Sequence, residues 1–151
     1  MERVILKLSG QALSDNGTGI SAKKIETVVN EIKELSSTDV QIGIVCGAGN
    51  MWRGRDAESN NMDRCLADSI GMLGTIMNSL AVENGLRNAG LKAITLSAVP
   101  MPSLVTSYTR NVALEYLEGN KKINKAFIQN NFNDFDTINK IKRRNIKIET
   151  L

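Results

Sequence analysis

The apolar positions of the chain fall into short aliphatic runs separated by longer amphipathic stretches. Arg3 to Leu8 is rich in branched side chains and stops at Ser9-Gly10, which predicts a buried strand running into a tight loop. Asp15-Asn16-Gly17-Thr18-Gly19 is a loop by composition. Ser21 suits a helix N-cap, because Ile25, Val28, Val29, Ile32 and Leu35 follow it on one face at helical spacing. Val40 to Cys46 predicts a second strand, closed by Gly47-Ala48-Gly49-Asn50. The longest helical pattern runs from Met62 to Asn88, with Cys65, Leu66, Leu73, Met77, Leu80 and Ala81 as its expected buried face and Gly90 as its stop. Lys92 to Leu96 predicts a third strand. Pro100 and Pro102 mark the loop after it, and Leu104 to Leu117 predicts a helix ended by Gly119. Strands alternating with helices imply βαβ units. The expected fold is therefore α/β, an open and mostly parallel sheet with helices on both faces.

Composition divides this picture in two. All 12 glycines lie at or before Gly119. From 120 to 151 there are eight Lys and Arg against three Asp and Glu, leaving eleven basic and thirteen acidic residues in the first 119. The net charge of +3 thus comes from the tail, and it does not by itself argue for a nucleic-acid partner. The expected organisation is an α/β domain over 1–119 and a diverged or frameshifted basic tail over 120–151. No apolar run approaches the ~20 residues of a membrane span, and Lys7 interrupts the N-terminal run where a signal peptide would be unbroken. Cys46 and Cys65 form no C-x-x-C pair; they are either one disulfide or, in the preferred reading, buried free thiols of a reducing cytoplasm. The chain holds no histidine, which removes Ser-His-Asp and Cys-His nucleophile systems and most zinc or iron sites. What survives is chemistry done by positioning and by backbone or cationic contacts.

In open parallel sheets, ligands gather beyond the carboxyl ends of the strands. Two glycine turns fall there, Lys7-Leu8-Ser9-Gly10 and Gly47-Ala48-Gly49-Asn50, and glycine lets backbone N–H groups come close to an anion. Lys7 is either a phosphate ligand or an edge-strand lysine whose ammonium reaches solvent. Arg53 and Arg55 are either cationic donors to phosphate oxygens or a solvated pair. Asp68, inside the long helix pattern, is a hydroxyl-binding carboxylate, or else a surface charge or one member of a helix-internal ion pair. Gly71 and Gly74 weaken that helix by roughly 1 kcal/mol each, which argues for close packing or ligand approach. The second turn is not G-x-G-x-x-G, since Trp52 takes the sixth place, and no P-loop pattern occurs anywhere.

Taken in order, Lys7-Leu8-Ser9-Gly10-Gln11-Ala12-Leu13, Gly47-Ala48-Gly49-Asn50-Met51-Trp52-Arg53-Gly54, Met62-Asp63-Arg64, Ala67-Asp68 and Gly71-Met72-Leu73-Gly74-Thr75 closely resemble bacterial uridylate (UMP) kinases of the amino-acid-kinase superfamily. The likeness covers about residues 1–119. It implies a phosphotransferase that passes the γ-phosphoryl group of ATP, carried with Mg²⁺, to UMP, giving UDP for pyrimidine nucleotide synthesis. By position, Lys7, Leu8, Ser9, Gly10, Gly49 and Arg53 resemble the ATP-binding residues, with Lys7 catalytic. Ala48 and Asp68 resemble UMP contacts, and Asp15, Asn16, Gly17, Thr18 and Gly19 resemble the loop tied to activation by GTP. The resemblance further implies a cytoplasmic homohexamer with the long helix near the subunit interface, inhibited by UTP, with no protein-held metal, nucleic acid or membrane partner. A UMP phosphate is already ionised near neutral pH, so its oxygen needs no general base, in keeping with a chain that lacks histidine.

Three departures stand out. Gln11 replaces a glutamate, and Ala48 replaces the middle glycine of a triple-glycine turn, at a cost of ~1 kcal/mol if φ there must be positive. After Gly119 the family continues with a strand and a glycine-rich UMP turn, whereas this chain has no glycine beyond that point. A strand near Lys122 to Ile128 and a basic helix from Asp136 onward are the expected elements of the tail. The competing readings are a catalytically impaired fragment that only binds nucleotide or joins subunits and, last, a basic-tailed nucleic-acid binder.

Overall fold

The computed structural model describes residues 2–37, 40–52, 61–118, 125–129 and 146–150. Strand β1 (Glu2–Leu8) leads through a 3-10 turn (Gly10–Leu13) to helix α1 (Ala22–Ser36), strand β2 (Val40–Cys46) and the long helix α2 (Arg64–Asn88). Strands β3 (Lys92–Ser97) and β4 (Thr106–Ser107), helix α3 (Arg110–Glu118), and strands β5 (Lys125–Gln129) and β6 (Ile146–Thr150) follow. The six strands form one sheet in the order β4-β3-β5-β2-β1-β6, and every pairing is parallel. The sheet continues past the change of composition at Gly119: β5 lies between β3 and β2, and β6 borders β1. β5 overlaps the stretch near Lys122 to Ile128 where the sequence predicts a tail strand, and ends one residue beyond it. Residues 146–150, where a basic helix was expected to run, are instead extended and paired with β1, and residues 136–145 lie outside the described residues.

Alternation along the strands sorts the core into two layers. Leu6, Leu8, Ile42, Ile44, Cys46 and Ala93 face α1 and α2, where they meet Ile25, Val28, Val29, Ile32, Val82 and Leu86. Ile94 and Leu96 point the other way, against Ala113, Leu117 and Tyr116 of α3. Helices therefore cover both faces. Ser21 caps α1 by accepting the Lys24 N–H, as the sequence predicts, although Leu35 at the far end of its stripe stays exposed.

Two helix readings need correction. The buried face of α2 is formed by Ala67, Gly74, Ile76, Asn78, Ser79, Val82 and Leu86. Of the expected set, Cys65, Leu66, Leu73 and Met77 are exposed, and Leu80 and Ala81 are half-buried. α2 is apolar on both sides, and the sheet takes the side with the smaller residues because it permits closer approach. Helix α3 begins at Arg110 rather than Leu104. The chain first turns at Met101–Val105 and adds the short strand β4, and Thr109 then accepts the Val112 N–H at the helix start.

β4 pairs only with Leu96 and Ser97. Upstream, α2 covers β3 instead: Glu83 accepts the Thr95 N–H at 2.8 Å, Arg87 Nε donates to the Ala93 carbonyl at 3.0 Å, and the two side chains pair at 2.6 Å. By length and composition α2 also meets the requirement for a membrane span, with an 18-residue window of mean hydropathy 1.4. This corrects the expectation from the sequence that no stretch approaches a membrane span, since the isolated charges within the helix do not lower its mean hydropathy enough. Here the helix packs on the sheet, as the core helix of a globular domain does.

Candidate functional site

The loops after β1 and β2 meet at the carboxyl end of the sheet. Gly47 N–H donates to the Leu8 carbonyl at 2.8 Å, joining the two strand ends. Gly10 lies so close to the second turn that a Cβ there would sit 2.5 Å from the Gly49 nitrogen and 2.8 Å from the Asn50 nitrogen, overlapping Asn50 Oδ1 as well. Only glycine permits this approach. The two glycine turns of the sequence are thus one structure, with Lys7 exposed beside it. β1 lies between β2 and β6, so the edge-strand reading of Lys7 does not hold. Lys7 projects on the face opposite Leu6 and Leu8, one residue before the end of the strand, in register with Val45 of β2. Ser9 caps the 3-10 turn, its Oγ accepting the Ala12 N–H at 3.2 Å.

The Asp15–Gly19 loop is tied to the second turn rather than extended into solvent. Asn50 Nδ2 donates to the Gly19 carbonyl at 2.6 Å, and Gly19 N–H donates to the Asn50 carbonyl at 2.9 Å. Gln11 Nε2 reaches the carbonyls of both Gly49 (3.0 Å) and Gly17 (3.4 Å). A glutamate could not donate either bond, so the Gln11 departure has a local use. Inside the loop, Ser14 donates to the Thr18 carbonyl and Ser21 donates to Asp15. Gly17 and Gly19 have φ of 78° and 69°, which glycine adopts without strain.

α2 forms the floor. A Cβ at Gly74 would stand 3.0 Å from the Ala48 Cβ and 3.1 Å from the Met51 Cβ, so this glycine marks close packing of the helix on the turn. Gly71 faces open space. Among the described residues Asn61 alone, besides glycines, has positive φ; Ala48 therefore carries no such strain. One turn past Gly74, the fully buried Asn78 donates to the Gly47 carbonyl and exchanges hydrogen bonds with the Asn50 amide. Asn78 went unnoticed in the sequence, where a polar residue on an apolar stretch of helix was its only signal.

Asp68 lies six residues before Gly74, about 9 Å back along the axis, and is exposed in an i,i+4 pair with Arg64 at 3.1 Å. Arg53 and Arg55 lie outside the described residues. The thiols differ: Cys46 is buried and Cys65, expected inside, is exposed. Burial pushes the Cys46 thiol up to about 12, partly offset by a hydrogen bond with Ser79, so it is no nucleophile despite its place beside the turn. Among the described residues no group of three or more His, Cys, Asp and Glu stands together to hold a metal ion.

With this geometry in view, the sequence pattern of the amino acid kinase family matches residues 2–138. The uridylate kinase of Pediococcus pentosaceus is 44% identical over 121 residues, covering 80% of this chain and 50% of that protein. The UMP kinase of Ureaplasma parvum superposes with a TM-score of 0.75 at 36% identity, over 84% of this chain and 55% of its own. For the UMP kinase of Bacillus anthracis the TM-score is 0.84 at 30% identity, over 97% and 64%. The chain spans about half the length of the Pediococcus relative.

Proposed function

The chain belongs to the amino acid kinase family, and from that premise we propose that its joined glycine turns bind nucleotide phosphates for transfer of the γ-phosphoryl group of ATP to UMP, giving UDP and ADP. The observation that carries this reading is the contact of Gly10 with the Gly49–Asn50 backbone, which brings two turns and Lys7 to one place beyond the strand ends.

In this reading the ionised UMP phosphate attacks in line, and no residue removes a proton. Lys7 offsets the charge that develops on the transferring group. Leu8 (through its backbone), Ser9, Gly10 and Gly49 serve the ATP side, and Arg53, outside the described residues, joins them by the resemblance. Ala48 meets UMP through its backbone, and Asp68 takes the ribose hydroxyls after leaving Arg64. Mg²⁺ arrives with the ATP phosphates as part of the substrate. A coupled ADP-release assay with UMP and Mg-ATP tests the proposal directly. Lys7→Ala is expected to abolish turnover and leave the thermal melting curve unchanged, and retained activity in the purified variant would remove Lys7 from its role.

A second reading, a module that binds nucleotide or joins subunits without turnover, is favoured by one feature. Leu66, Ile70, Leu73 and Met77 form an exposed apolar stripe on α2, 63%, 37%, 47% and 49% accessible. This stripe supports a homo-oligomer, and a cytoplasmic location is proposed with it on the likeness to UMP kinases. Leu73→Glu would then lower the mass seen by light scattering. Regulation by GTP through Asp15–Gly19 and by UTP belongs to the same proposal. So does the division into a kinase-like 1–119 and a diverged or frameshifted 120–151, which translation of the encoding DNA in its other frames would test.

A further inference from the structure

We propose that Asn78 is a positioning residue for the nucleotide site: it sets the plane of the Gly47–Ala48 peptide and, through Asn50, locks the 47–50 turn to the 15–19 loop. The inference rests on the reading of 7–10 and 47–50 as that site. Asn78 has no exposed surface and Asn50 is 3% exposed, so both amides are buried where an unmet polar group is costly. Each spends its bonds on the other and on backbone. Asn78 Nδ2 donates to the Gly47 carbonyl and to Asn50 Oδ1, both at 2.7 Å. Asn78 Oδ1 accepts from Asn50 Nδ2 at 3.1 Å, and the same Nδ2 donates to the Gly19 carbonyl at 2.6 Å. The result is a continuous polar connection from the interior of α2 to two loops.

The consequence follows from peptide geometry. A trans peptide is planar, with its C=O and N–H on opposite sides. Holding the Gly47 carbonyl against α2 therefore turns the Ala48 N–H away from the helix, on the side of the turn where a ligand oxygen can meet it. Gly74 fixes the spacing of the same helix and turn one turn earlier. An aliphatic residue of similar volume at 78 would preserve the packing but take the Asn78 donor away from the Gly47 carbonyl and from Asn50 Oδ1. Position 78 thus asks for a donor, not only for a shape.

Two variants separate this role from a general contribution to stability. Asn78→Asp keeps the size of the side chain but cannot donate to Gly47, whereas Asn50→Ala keeps that bond and removes only the side-chain half of the link to Gly19, leaving the backbone bond from the Gly19 N–H. Calorimetric titration with UMP and with Mg-ATP, alongside amide hydrogen exchange, reads both. Asn78→Asp is expected to weaken UMP binding about tenfold or more and to speed exchange at Gly19, Gly47, Met51 and Trp52 by a similar factor. Exchange at Val82 and Leu86 in the same helix should stay as in the parent. Asn50→Ala is expected to speed exchange at Gly19, whose N–H keeps only its backbone bond to residue 50, while Gly47 remains protected. Exchange that rises equally in the turn and along α2, or an unchanged turn and an unchanged UMP affinity, overturns the positioning role. Should the parent chain bind neither nucleotide, the kinase reading fails, and the contrast in exchange between turn and helix still decides what Asn78 does.

Discussion

Gly10→Ala puts the assembly of the two turns to its most direct test. The added methyl would lie 2.5 Å from the Gly49 nitrogen and 2.8 Å from the Asn50 nitrogen, against the ~3.5 Å at which such atoms rest. The Gly49 backbone must then retreat by about 1 Å. It is not free to do so, being held by the Gly47–Leu8 bond at 2.8 Å and the Gln11–Gly49 bond at 3.0 Å. Two hydrogen bonds at about 1 kcal/mol each, with overpacking of about 1–3 kcal/mol, give a loss of about 2–4 kcal/mol once partial relaxation is allowed. With a urea slope of about 2 kcal/mol per molar, the unfolding midpoint should fall by about 1–2 M. The double variant Gly10→Ala/Asn50→Ala removes the overlap with Oδ1 but neither backbone contact, so it should recover little. A midpoint within about 0.3 M of the parent, or full recovery in the double variant, would refute the claim that backbone approach is what requires glycine here.

Gly74→Ala sets a helix-propensity gain of about 1 kcal/mol against crowding at Ala48 and Met51, and should destabilise by about 1 kcal/mol net. Adding Ala48→Gly should recover at least half of this in denaturant melts, whereas strict additivity would show that the two positions are independent. In thiol titration of the native protein, Cys65 should react at once and Cys46 only on unfolding. The Cys46 pKa is raised from 9.0 to about 12 on folding, so the native state holds its proton more tightly. Its contribution to stability is full below pH 9 and is lost as pH rises from 9 towards 12; unfolding midpoints across that range should show a decline that Cys46→Val reduces.

Much of the fold could be read locally because local chemistry decided it. β1, β2 and β3 are aliphatic runs ended by Ser, Gly or Pro, and Ser21 caps α1 as its neighbours imply. α2 was harder: ranking its faces by side-chain size selects Leu66, Leu73 and Met77, whereas the sheet demanded closeness and took Gly74, Asn78 and Ser79. The start of α3 was obscured because Leu104 and Val105 are apolar yet serve the turn at Met101. At the site, the glycine turns were legible as composition. Their union was not, because Gly10 meets Asn50 and Asn50 meets Asn78 across long stretches of chain that no window of sequence spans.

β2 and β3 are consecutive strands that never touch, since Lys125–Gln129 lies between them. Ile42 thus waits for Ala126, a partner 84 positions later in the order of synthesis. Until then the nascent sheet has an internal gap, with two apolar strand edges facing each other and nothing to pair with. Such long-range closure is slow, and unpaired edges invite other chains. β5 and β6, made after the rest of the described sheet, complete its middle and one border, so the nascent chain should depend on protection until they emerge.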